Sequence, residues 1–121
     1  MKYMLLIYHE EEGWGQISEQ ERQKMYAEYR QFTQEIMTSG NHLAGSELHP
    51  SSTATSVRVR DGKQLATDGP YTETKEQLGG YYLIEAANLD EAIAIAARIP
   101  SARVGTIEVR PVSEAAAPAS A

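Results

Sequence analysis

Cysteine is absent from all 121 residues. That absence removes disulfides, thiolate nucleophiles and cysteine-type zinc sites together. Long apolar runs are missing too, and none approaches the ~18–20 residues that span a bilayer. No Lys/Arg cluster occurs, and the formal net charge is -6. Nucleic acid is therefore not expected as a partner, since nothing offers a footprint for phosphates. An anionic membrane surface is disfavoured for the same reason. Neither G-x-x-x-x-G-K-[ST] nor G-x-G-x-x-G is present, so no nucleotide cofactor is expected, and no G-x-S-x-G elbow suggests serine hydrolysis. The opening "MKYMLLIYHEEE" has a Lys before an apolar run. The run is short and rich in Tyr, lacks a small-residue cleavage site and is followed by acids. A first β-strand is the better reading, and the cytoplasm the expected location.

What is present is an ordinary soluble mix, 41% hydrophobic and 23% charged, at a length that suits one domain with one core. Residues 2–8 carry Tyr3, Leu5 and Ile7 on one face and Met4, Leu6 and Tyr8 on the other, a strand apolar on both sides. A helix is expected over 18–40. Ser18 and Glu21 form a capping box, Met25, Tyr29, Phe32 and Ile36 recur at helical spacing, and Gly40 supplies the stop. Residues 42–49 are a weaker strand. "TSVRVRDGKQLAT" (55–67) reads as a hairpin about Asp61-Gly62. "GGYYLIEAA" (79–87) is a strand. A second helix follows over 88–99, with Leu89, Ala92, Ile93, Ala96 and Ile99 as its expected buried side. Residues 105–112 form the last strand, with Ile107 and Val109 opposite Glu108 and Arg110. A single domain thus covers 1–112, and 113–121, small and low in hydrophobicity, reads as a mobile tail.

The order β-α-β-(hairpin)-β-α-β points to an α+β, ferredoxin-like split βαβ arrangement with an added hairpin. Both helices would cover one face of an antiparallel sheet. The other face would remain apolar, and soluble monomers avoid that. A homodimer with its sheets packed face to face, a dimeric α+β barrel, is the expected solution.

The block "TDGPYTETKEQLGGYYLIEA" (67–86), together with "LDEAIAIAARIP" and "GTIEVRPV", resembles the YCII-related family, in particular its DGPF-motif subgroup. Asp68-Gly69-Pro70-Tyr71 is similar to the DGPF signature, with Tyr in place of Phe. The likeness runs from the first strand to residue 112. It implies a dimeric α+β barrel but no secure activity. A few relatives are dehydrochlorinases or muconolactone-isomerase-like enzymes, and genes of the subgroup often lie beside extracytoplasmic-function sigma factors. Shorter members carry a first-helix His proposed to pair with an Asp. This helix has none, so that dyad does not carry over.

Two functional readings follow. One is a cofactor-free lyase or isomerase in which Asp68, held by the Gly69-Pro70 turn, moves a proton. Arg58 or Arg110 would hold a small anionic ligand, near Glu108 and Tyr71. The bland alternatives are an Asx-turn for Asp68 and salt bridges for the arginines. His9, at the end of the first strand, is the best-placed histidine for acid/base work. Glu73, Lys75 and Glu76 form either a pocket rim or a solvated loop, and Gly79-Gly80 a bulge or a close approach. His42, Glu47 and His49 match no established metal spacing, and no metal is expected. The second reading is a non-catalytic ligand-binding or regulatory partner, linked to a sigma-factor pathway.

Overall fold

A computed structural model describes residues 1–69 and 74–113. The expected mobile tail, apart from Ser113, lies outside the described residues, as do Tyr71 and Glu73. Along the chain run β1 (Lys2–His9), α1 (Glu11–Gln16), α2 (Glu19–Thr38), β2 (His42–Glu47), β3 (Thr55–Arg60), β4 (Lys63–Asp68), β5 (Gln77–Glu85), α3 (Leu89–Ala97) and β6 (Thr106–Pro111). Four strands form one antiparallel sheet in the order β2-β5-β1-β6. The chain leaves β1 for β2 through α2 and leaves β5 for β6 through α3, so each connection skips one strand. This is the expected ferredoxin-like α+β arrangement.

Burial follows the pleat. Tyr3, Leu5 and Ile7 of β1 and Tyr82 and Ile84 of β5 are buried against Phe32 and Ile36 of α2 and Ala92, Ile95 and Ala96 of α3. β6 pairs with β1 in the register Leu5↔Val109 and Ile7↔Ile107, so Val109 and Ile107 join that core. The opposite face presents Met4, Leu6 and Tyr8 beside Tyr81 and Leu83, all half-buried. Glu108 and Arg110 lie on this face, paired with each other, and the Tyr8 hydroxyl donates to Glu108 at 3.2 Å.

α2 begins as its sequence dictates, with Ser18 Oγ accepting from the Glu21 amide at 3.1 Å. α3 begins likewise, with Asn88 Oδ1 accepting from Glu91 at 2.9 Å. Its phase differs from expectation. Ala92, Ile95, Ala96 and Ile99 are buried, whereas Leu89 and Ile93 are 48% and 49% exposed. Ile95 and Ile99 reach the core across small alanines, and this turns Leu89 and Ile93 outward. α1 forms where Gly13 and Gly15 weaken a helix. It is held from outside: the Glu11 carboxylate accepts from the Ser51 amide and hydroxyl, each at 2.7 Å, and the Glu11 amide donates to Gln77 at 3.0 Å.

The hairpin forms as expected but as a separate two-stranded sheet of β3 and β4. Asp61 (φ 53) and Gly62 (φ 74) both adopt positive φ, as a primed turn requires. Val57 and Val59 are 60% and 61% exposed. Among the described residues no helix is long and apolar enough to cross a membrane.

Candidate functional site

A cleft of about 860 Å³ opens between α2 and the helix-facing side of the sheet. Ile7, Gly80 and Tyr82 form its floor, since these positions face α2 from β1 and β5. Met25, Tyr26, Tyr29 and Thr33 of α2 make one wall. Trp14 of α1 and the His49-Pro50 turn contribute near the mouth, and Ser101 and Val104 close another side. The aromatic stripe of α2 thus serves two purposes. Phe32 and Ile36 fill the core, while the amphipathic residues before and beside them line the cleft.

His9 sits at the end of β1 on the cleft wall. The β1–β5 register shifts between Ile7, which faces Gly80, and Tyr8, which faces Leu78. Gly79 is the residue left over at this bulge, and its bare Cα makes room for the imidazole. A Cβ there would lie 2.3 Å from His9 Nε2. Both readings of the glycine pair therefore hold: a bulge, and a close approach. From His9 an aromatic chain continues. Its ring meets Trp14 edge-on at 6.3 Å, and Trp14 meets Tyr26 edge-on at 5.7 Å. The Tyr26 hydroxyl donates to Glu47 Oε1 at 3.1 Å. On the outside of this chain the Arg22 guanidinium lies 5.4 Å from the Trp14 ring and donates to the Trp14 carbonyl at 3.2 Å.

Deeper in the cleft the hydroxyls pair among themselves. Thr33 Oγ1 and Tyr82 Oη are 2.6 Å apart, and Tyr29 Oη and Ser101 Oγ are 2.5 Å apart. Burial raises the pKa of both tyrosines, against the opposing pull of those hydrogen bonds. Tyr26 is also raised, first by desolvation and then by its bond to the Glu47 carboxylate. All three phenols therefore stay protonated at neutral pH and act as neutral hydrogen-bonding groups.

Of the described residues expected from sequence to catalyse or to hold an anionic ligand, only His9 lines this cleft. Asp68 ends β4, exposed, opposite Thr55, and its carboxylate has no hydrogen-bond partner among the described residues. Gly69, beside it, is held on both sides: its amide donates to the Ala54 carbonyl at 2.6 Å, and Ser56 Oγ donates to the Gly69 carbonyl at 2.7 Å. Arg58 lies on β3 of the hairpin, and Arg110 and Glu108 on the far side of the main sheet. None of these is a cleft residue. Tyr71 lies outside the described residues. Lys75 pairs with Glu10 at 3.7 Å, and Glu76 accepts from Thr106 at 2.8 Å. His42, Glu47 and His49 all line the cleft, yet among the described residues no group of three or more ligand-type side chains is placed to hold a metal.

Sequence reasoning did not join Trp14, Tyr26, Tyr29 and Tyr82 into a site, and weighed Glu47 only with His42 and His49. A signal did exist in the choice of tyrosine and threonine over aliphatic residues at 26, 29 and 33. Such side chains suit a wall that is apolar in body and polar at the tip.

The YCII-related domain profile matches residues 1–116. An uncharacterized protein of Rhizobium meliloti (strain 1021) is 33% identical over 115 residues, covering 93% of each chain.

Proposed function

The chain belongs to the YCII-related domain family, and from that premise we propose that its cleft binds a small ring-bearing molecule and that His9 moves a proton on it. The reaction class is a cofactor-free lyase or isomerase step. The observation that carries this reading is the seating of His9: its imidazole is held at the wall of an aromatic cleft by the gap that Gly79 leaves. An imidazole gives and takes protons near neutrality, and the tyrosine rings around it suit a flat substrate. On the resemblance of Asp68-Gly69-Pro70-Tyr71 we also assign the chain to the DGPF-motif subgroup, with that turn in a structural role. We take the working form to be a homodimer joined through the open sheet face.

The test is proton exchange. A panel of lactones and hydroxylated arenes is incubated with the protein in heavy water and followed by proton NMR. Wild type is expected to exchange or convert at least one compound, His9→Gln to lose nearly all of that rate, and Asp68→Asn to keep it. Binding without exchange would favour a second reading, a non-catalytic binding protein acting on a regulatory partner. The mutual pairing of the cleft hydroxyls supports that second reading, because such groups are rigid and already satisfied. Full activity in His9→Gln, with loss in Asp68→Asn, would remove the cleft from the account.

A further inference from the structure

We infer that the cleft selects an organic cation, a protonated amine carried on an apolar or aromatic body, over an anion of the same shape. The inference rests on the cleft being the ligand site and adds the charge of the ligand. None of the residues lining the cleft is Lys or Arg, whereas Glu10, Glu11, Glu21 and Glu47 are among them. The residues outside the described set, 70–73 and 114–121, include no Lys or Arg in the sequence either.

The four acids are not equivalent, although Glu21, like Glu47, has no ion-pair partner among the described residues. Glu11 is used in holding Ser51. Glu10 pairs with Lys75. Glu47, by contrast, is met only by the neutral Tyr26 hydroxyl among the described residues. No Lys or Arg is paired with it among the described residues. Arg22, at the edge of the cleft, is paired with Glu19 at 3.1 Å and lies over Trp14.

Aromatic faces reinforce the same preference. Trp14, Tyr26, Tyr29 and Tyr82 all line the space. Ring faces attract cations and repel carboxylates through their quadrupole. Arg22 over Trp14 shows this attraction already in use at the edge of the site. An anionic ligand would have to lose water with no fixed positive partner, since the only basic side chains lining the cleft are the imidazoles of His9, His42 and His49, and none is permanently charged.

Trp14 is the single tryptophan of the chain and a cleft residue, so its emission reports binding there directly. Three compounds of matched shape are titrated at mildly alkaline pH, where free imidazole is neutral: phenethylamine, 2-phenylethanol and phenylacetate. Phenethylamine is expected to bind most tightly and phenylacetate at least about tenfold more weakly, the factor that ~1.4 kcal/mol represents. Glu47→Gln, an exposed and conservative change, is expected to shrink the amine's advantage over the alcohol while leaving the alcohol's affinity unchanged. Phenylacetate binding as well as phenethylamine, or an amine advantage that survives Glu47→Gln, would overturn the charge selection and leave the cleft as a ligand site. Silence of Trp14 toward all three compounds would remove both.

Discussion

A methyl group at position 79 is the smallest change that reaches the site. Gly79 touches His9 through the far end of a side chain, not through backbone, so the ring can yield. Gly79→Ala is therefore expected to fold and to lose only about 1 kcal/mol, while displacing the imidazole from its seat. The measurement is denaturant unfolding together with the His9 ring resonances in NMR, which should move well beyond those of His42 and His49. Unmoved His9 resonances would mean that the glycine does not set the ring's position. Gly105 makes the useful contrast. A Cβ there would lie 2.1 Å from the Tyr8 carbonyl oxygen, a backbone atom that cannot swing aside. At this scale the sequence was only partly readable. The Gly-Gly pair announced a bulge, but its partner across the sheet, His9, is 70 residues away, and only the β1–β5 register brings the two together.

At the scale of elements, α2 is held to the sheet by core packing at its C-terminal half and by tyrosine hydroxyls nearer the cleft. Tyr29 on the helix and Tyr82 on β5 each have their pKa raised, chiefly by burial. The sign of the consequence follows directly. In the unfolded chain these phenols ionise near ~10, whereas the folded protein holds their protons to higher pH. Their contribution to stability is therefore complete below pH ~10 and is lost as pH rises through the folded values. Urea midpoints measured from neutral into strongly alkaline pH should fall over that window, and the fall should be shallower in Tyr29→Phe. An identical slope in the variant would show that Tyr29 does not take part. The element boundaries were largely legible in the sequence, because Ser18, Asn88, Gly40 and the Asp61-Gly62 turn act locally. What was not legible depends on distant partners. α1 is held by Ser51, and the phase of α3 is set by the burial of Ala92, Ile95, Ala96 and Ile99 in the shared core. The cleft itself arises because Tyr26 and Tyr29 precede the buried turns of α2, a distinction that periodicity alone does not make.

For the whole molecule, the open sheet face is apolar and only half-covered by the described residues. Met4, Leu6, Tyr81 and Leu83 form a continuous half-buried apolar strip, with Tyr8, Glu108 and Arg110 beside it. Pairing of two such faces gives each strip a cover, and light scattering should report twice the chain mass. Leu6→Lys should lower that mass to the monomer while the circular dichroism of the fold persists. A wild-type protein of monomer mass would refute the face-to-face assembly. The cleft lies on the opposite side of the sheet, among α1, α2 and the β2 edge. Ligand binding should therefore survive in Leu6→Lys if the monomer stays folded. The hairpin that carries Asp68 is a separate small sheet, and its resemblance-bearing motif draws attention away from the part of the molecule with a built cavity.

Where a small molecule binds decides between the cleft and the hairpin. The most direct measurement is chemical-shift mapping on the isotopically labelled protein with a fragment library of small ring compounds. The cleft account predicts that hits move the Trp14 indole, the His9 ring and the Tyr26 and Glu47 amides together, leaving 55–69 unchanged. Hits that move only the hairpin around Asp68, with Trp14 and His9 still, would contradict it.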